Sequence, residues 1–290
     1  MQWRGRRGSA NIEDRRGRGG RRGGAGLAGG VGGFGLIAIV LIGWMLGVDV
    51  TPFLSGGGGG SYVGTAGPQR PISQAEQEEG QFVSVVLADT EEVWSEIFAE
   101  QVGEPYVPPT LVLFSQVTQS PCGGASGATG PFYCPADRKA YLDTDFFTTL
   151  EQQFGARGDF AAAYVIAHEV AHHVQNELGI LGQANAIRAQ SSEADANAIS
   201  VRVELQADCL SGIWARAAQE RFGTLEPGDI DEAVNAARQI GDDRLQAGAG
   251  RIPQPHTFTH GTSEQRARWF ATGYETGSIP ACDTFSAQSL

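Results

Sequence analysis

Cysteine and histidine are both scarce in this chain, and each scarcity narrows the reading. Only four cysteines occur in 290 residues, and none shows C-x-x-C spacing, which argues against a zinc site built from cysteine thiolates. No internal repeat is evident, so the chain does not read as a solenoid or a propeller. No clear A-x-A cleavage pattern follows its amino-terminal apolar run, which weighs against a cleaved signal peptide. Histidine occurs five times and in two places only, at His168, His172 and His173 and again at His256 and His260. Lone histidines on helices are usually solvated or bonded to a backbone carbonyl, whereas clustered ones at ligand spacing point to a metal.

His168, Glu169 and His172 stand in H-E-x-x-H spacing. Residues four apart share a helical face, so two imidazoles can reach one ion while the adjacent glutamate projects beside it, where a bound water would sit. The pattern predicts a helix over 161–178: Val165, Ile166, Val170, Val174 and Leu178 recur at helical spacing, no proline interrupts them, and Gly179 offers a stop. His173 points about 100° away from His172 and reads as structural or exposed.

A catalytic zinc takes a third protein ligand and keeps a position open for water or substrate. Glu204 is the best candidate, on a second helix that Ser191 and Ser192 begin, that Glu193 and Asp195 supply with an acidic first turn, and that runs to Gly223. Glu204 and Asp208 are four apart and share a face, so the first can bind the metal while the second holds the far nitrogen of a ligating histidine. The same pair could equally be an ordinary solvated acidic face.

H-E-x-x-H followed by E-x-x-x-D is similar to the gluzincin arrangement of metallopeptidases. The fuller strings over 167–176 (AHEVAHHVQN), 204–209 (ELQADC) and 259–266 (THGTSEQR) resemble the bacterial membrane-anchored family described as predicted neutral zinc metallopeptidases. The likeness extends to the first residues, MQWRGRR and NIEDRRG, and covers essentially the whole chain apart from its glycine-rich linker. It implies an α+β, zincin-like fold with two metal-bearing helices and a small sheet, one zinc ion, and hydrolysis of peptide bonds, most readily as a metalloendopeptidase.

In that chemistry His168, His172 and Glu204 hold the zinc, whose water falls to a pKa of about 7, and Glu169 accepts the water proton and passes it to the leaving amine. The oxyanion needs a further donor, for which His260 is the first choice, His256 the second, and Tyr133 or Tyr141 the third. His260 could instead cap a helix starting near Thr262 or Ser263. Against the enzyme stands a catalytically inactive, zinc-stabilised binding or scaffold module at the membrane surface. Glu169 favours the enzyme, because a purely structural zinc site has no need of a general base.

The chain is 41% hydrophobic and long enough for one catalytic domain of about 200 residues plus appendages. Residues 1–30 hold eight arginines against Glu13 and Asp14, a net +6, and the rest has 13 basic and 31 acidic residues, a net −18. Between them lies the uncharged run 31–48, which with its weakly apolar flank reaches the roughly 20 residues a bilayer requires. The expected division is a basic cytoplasmic segment over 1–30, a transmembrane anchor over 31–50, a linker over 51–72 and the peptidase domain over 73–290. By the positive-inside rule the arginines stay inside and the domain faces outwards, as a single-pass protein of the bacterial inner membrane. The arginine-glycine segment 15–24 alone would suit RNA, but its place before a span makes topology the simpler account. No nucleic acid is expected as partner; the partners are a peptide or protein substrate and the membrane.

An exported domain can form disulfides, and the most local of three pairings joins Cys122 to Cys134 and Cys209 to Cys282. Residues 75–101 show helical patches with a break or new cap near Asp89 and Thr90. Short strands are expected over 111–116 and 139–146, the second of which could be an edge strand that aligns a peptide.

Overall fold

The structure, a computed structural model, describes residues 1–17, 71–126 and 130–290. The apolar run 31–48 and the glycine-rich linker lie outside the described residues. Among those described, no helix is long and apolar enough to cross a membrane.

A capping box starts helix α1 (Gln74–Ile97): the Ser73 hydroxyl accepts the Glu76 N–H and the Glu76 carboxylate accepts the Ser73 N–H. The break expected near Asp89 does not occur. Thr90 Oγ1 donates back to the Leu87 carbonyl at 2.7 Å and the Asp89 carboxylate takes an Arg6 guanidinium nitrogen at 2.5 Å, so both polar groups are satisfied inside a continuous helix. A π-helical turn over Phe98–Val102 closes on left-handed Gly103.

Four strands then make a mixed sheet in the order β1-β2-β6-β5: β1 (Ile12–Asp14), β2 (Thr110–Phe114), β5 (Phe132–Cys134) and β6 (Lys139–Asp143). β1, β2 and β6 run parallel and β5 pairs antiparallel with β6. β3 (Val117–Ser120) and β4 (Gly123–Ser126) form a separate hairpin. Both expected strands are present, but the second is flanked by β2 and β5 and is no edge. Its alternation of Ala140, Tyr141 and Leu142, all buried, fits a strand covered on both faces.

The helices follow as α2 (Asp145–Gln152), α3 (Asp159–Glu177), α4 (Ile180–Arg188), α5 (Glu193–Phe222), α6 (Asp229–Gln239), α7 (Asp242–Gly248) and α8 (Ser263–Thr276). α3 and α5 match the two expected metal-bearing helices. Gly179 is left-handed after the first, Ser192 caps the second by accepting the Asp195 N–H, and Gly223 is left-handed after it. α5 forms the spine, and α8 crosses it where Gly212 and Gly273 interlock. A Cβ on Gly273 would strike the Cys209 carbonyl oxygen, and one on Gly212 the Phe270 carbonyl oxygen. Neither obstacle is a movable side chain, so Gly273→Ala is expected to cost on the order of 3 kcal/mol through overpacking, read as a fall in denaturant midpoint.

Residues 1–17, expected as a basic segment ahead of the domain, pack against the described body of residues 71–290. Met1 and Trp3 are buried, and Trp3 meets Phe82 edge-on with centroids 5.5 Å apart. β1 extends the sheet beyond β2, with the Leu111 N–H on the Asn11 carbonyl and the Arg15 N–H on the Leu113 carbonyl. Among the described residues, three of the arginines that read as topogenic charge are engaged on α1 and on the strap itself: Arg6 on Asp89, Arg7 on Glu92, Arg16 on Asp14 and the Glu76 carbonyl. An arginine-rich stretch before an apolar run is ambiguous, because acidic helix faces and acidic lipids attract it alike.

Both expected disulfides are in place, with Cα–Cα separations of 5.7 Å for Cys122–Cys134 and 5.6 Å for Cys209–Cys282. The first pins β5 to the hairpin, and the second ties α5 to the carboxyl-terminal segment.

Candidate metal centre

α3 and α5 bring His168, His172 and Glu204 to one point, each offering a ligand atom within 4.8 Å of the others. His168 Nε2 lies 3.0 Å from Glu204 Oε2, and His172 Nε2 lies 3.5 Å from Glu204 Oε1. The far nitrogens are held as well. His172 Nδ1 donates to Gln175 Oε1 at 2.9 Å, and the Gln175 amide is fixed by the Val203 carbonyl and Gln206. His168 Nδ1 lies 3.0 Å from Asp208 Oδ1, off the ideal hydrogen-bond line. Each ring therefore has a partner on Nδ1 that leaves Nε2 turned toward the shared point.

Asp208 sits at the centre of a buried network that the sequence did not disclose. Arg266, from α8, donates Nε to Asp208 Oδ2 at 2.8 Å and Nη2 to Oδ1 at 2.9 Å, and the Tyr164 hydroxyl donates to Oδ1 at 2.5 Å. Both members of the ion pair are fully buried, where a two-pronged guanidinium is the partner that leaves least of a carboxylate unsatisfied. Burial raises the Asp208 pKa, but Arg266 and His168 outweigh it and hold the carboxylate below its usual range.

The electrostatics call for a cation. Burial works against charge on His168, yet Asp208 and Glu204 overcome it and push its pKa up to about 10. Burial likewise opposes charge on His172, and Glu204 raises it. Burial also penalises the Glu204 carboxylate, but His172 and His260 bring it well below the ordinary range. Two imidazoles and a carboxylate that draw positive charge to one point can be satisfied by a divalent ion in place of protons, and this donor set suits zinc. Glu169 is the contrasting group: burial pushes its pKa up, and its Oε2 is buried with no hydrogen-bond partner among the described residues. That orphaned oxygen beside the donor cluster is what a general base awaiting a water looks like.

His260 is positioned by Asp242, a second residue the sequence did not single out. Asp242 is fully buried at the start of α7, and its Oδ2 accepts the backbone N–H groups of Thr259, His260 and Gly261 at 2.8, 2.6 and 3.0 Å. Its Oδ1 lies 3.3 Å from His260 Nδ1. His260 is near enough to Glu204 to stabilise its charge. The helix cap is Thr262, in a capping box with Gln265, so His260 is not spent on capping. His256 lies on the exposed 3-10 turn Pro255–Thr257, where its carbonyl receives Asn197.

The tyrosines considered as oxyanion donors are occupied elsewhere. Tyr133 hydrogen-bonds His173 Nδ1 at 3.0 Å, and Tyr141 donates to Asp137 at 2.6 Å while stacked on Phe132. His173 is fully buried and donates Nε2–H to the Val107 carbonyl at 2.7 Å, so it is structural. A second carboxylate group, Asp159, Asp229 and Glu232, is already engaged: the Met1 ammonium lies 2.5 Å from Asp159 and 3.3 Å from Asp229, while Glu232 accepts the Phe160 N–H.

Comparison with known proteins places the chain in a family. The family model described as "Putative neutral zinc metallopeptidase" matches residues 1–285. The chain is 45% identical over 289 residues to the uncharacterized protein YpfJ of Escherichia coli K12, covering 98% of this chain and 99% of that one. It is 49% identical over 195 residues to the uncharacterized protein Rv2575 of Mycobacterium tuberculosis H37Rv, covering 64% of this chain and 65% of that one, and equally to Mb2605 of Mycobacterium bovis. No solved structure matches. With nearly its whole length matched, amino-terminal strap included, the chain belongs to the neutral zinc metallopeptidase family.

Proposed function

We propose that the protein is a zinc-dependent peptidase that hydrolyses peptide bonds, with one ion held by His168, His172 and Glu204. The observation that carries this reading is the orphaned Glu169 Oε2 beside three convergent ligand atoms, since a site that only stabilised the fold would leave no buried carboxylate oxygen unpaired. When bound, zinc there supplies a Lewis acid for the substrate carbonyl and lowers the pKa of a water at its open position to about 7.

The rest of the chemistry belongs to the chain. Glu169 accepts the water proton at Oε2 and returns it to the departing amine. Asp208, neutralised by Arg266, orients His168, and Gln175 orients His172. His260, aligned by Asp242, donates to the developing oxyanion. β5 supplies a sheet edge for an extended peptide: it pairs with β6 on one side only and stands against α3 through Tyr133 and His173.

The two disulfides support an oxidising, extracytoplasmic compartment, and the apolar run 31–48 supports attachment to a membrane. The reading is tested by metal analysis of the full chain and by cleavage of a peptide library before chelation, after it, and after zinc is restored. Stoichiometric zinc with chelator-sensitive, zinc-restored cleavage is expected; cleavage that survives complete metal removal would overturn it. His260→Ala should lower kcat about 10²-fold with little change in KM, and Asp242→Asn should shift kcat in the same direction by less.

A further inference from the structure

The amino-terminal strap conflicts with a chain that crosses a membrane once between residues 17 and 71. It touches the body along its whole length: the Gln2 N–H donates to the Thr224 carbonyl, the Ser9 N–H to the Ser84 carbonyl, and β1 pairs with β2. The fit is close, because a Cβ on Gly8 would run into Ser84 and one on Gly80 into the Arg16 guanidinium. The strap also leaves the body where the chain returns to it. The Arg16 guanidinium sits on the Glu76 carbonyl, within the first turn of α1.

We infer that α1 and the open edge of β2 form a docking surface for the chain's own residues 1–17 in the cell, so that residues 1–17 and 71–290 share one compartment. Charge complementarity selects this occupant, since Arg6 and Arg7 meet Asp89 and Glu92 on α1, and the Ser9 hydroxyl donates to Glu91 beside them. The family match also begins at residue 1, so the strap is part of the matched unit and not an appendage to it. The inference does not rest on the peptidase reading.

Two measurements on the full chain in bacterial cells test it. A Cβ on Gly8 would lie 3.3 Å from Ser84 Cβ, close to the disulfide spacing of about 3.5–4.5 Å. The Gly8→Cys/Ser84→Cys double variant, with a specific protease site placed within residues 56–60, should therefore keep its two fragments joined after mild oxidation and cleavage until reductant is added. Gly8→Cys alone should release them. Separately, Ala10→Cys and Ala189→Cys, both at exposed positions, should react alike with a membrane-impermeant maleimide on spheroplasts. Labelling of both supports the proposal together with an extracytoplasmic enzyme; protection of both until lysis supports the proposal and removes that compartment. Labelling of Ala189→Cys with protection of Ala10→Cys, and no cross-link in the double variant, would overturn it.

Discussion

Glu169→Gln is expected to abolish peptide hydrolysis while leaving zinc content and fold intact. The amide keeps the shape of the carboxylate but cannot accept a proton from water, and loss of a positioned general base alone is worth about 10²–10⁴ in rate. The metal donors are untouched, because Glu169 is not among the three convergent ligands. Stability should hold or rise slightly, since the substitution removes a carboxyl group that burial already penalises. Parallel measurement of zinc stoichiometry, unfolding midpoint and kcat/KM separates these effects. Equal activity in the two proteins would sink the mechanism, and a scaffold in which zinc only supports the fold would show no activity to lose.

Glu204→Ala and Asp208→Ala should fail in different ways although both acids lie on one face of α5. Without Glu204 the metal keeps two imidazoles, and no site should persist at micromolar zinc; the metal-free protein should unfold much as before. Without Asp208 the three ligands remain, and affinity should fall about 10- to 100-fold because His168 is no longer oriented. The same change strands the Arg266 guanidinium, fully buried and bonded chiefly to this carboxylate, at a cost of about 3–5 kcal/mol. Metal titration ranks the two variants one way, and denaturant unfolding without metal ranks them the other. Identical ranking in both experiments would mean that Asp208 binds the ion or that Glu204 supports the core.

What the sequence disclosed is what local spacing can carry. Two histidines and a glutamate in one turn declare their shared face, and the serine and glycine at the ends of α5 declare its length, so α3 and α5 were both legible nearly to their termini. Asp242 was not, because it lies 18 residues before His260 and no periodicity links them. Arg266 closes the family-like string over 259–266, but no spacing names its partner, and only the Gly212–Gly273 crossing places it on Asp208. The packing of the strap was not legible for a different reason. β1 is three residues long and draws its stability from the edge of β2 and the acids of α1, none of which lies near it in sequence.

The Cys209–Cys282 bond closes residues 209–282 into a covalent ring. That ring contains Arg266 and His260, and it also contains the two connecting loops at 223–228 and 249–254. Surface loops are where chains are cut first. A linear chain cut at 250 could lose its α8 segment, and with it the charge partner of Asp208. In the ring, a single cut leaves both pieces attached at Cys209, one residue from that carboxylate, so the severed segment stays at the high effective concentration of a tethered partner. The disulfide thus makes the metal centre tolerant of one nick and vulnerable to a second, or to a reductant that arrives after the first.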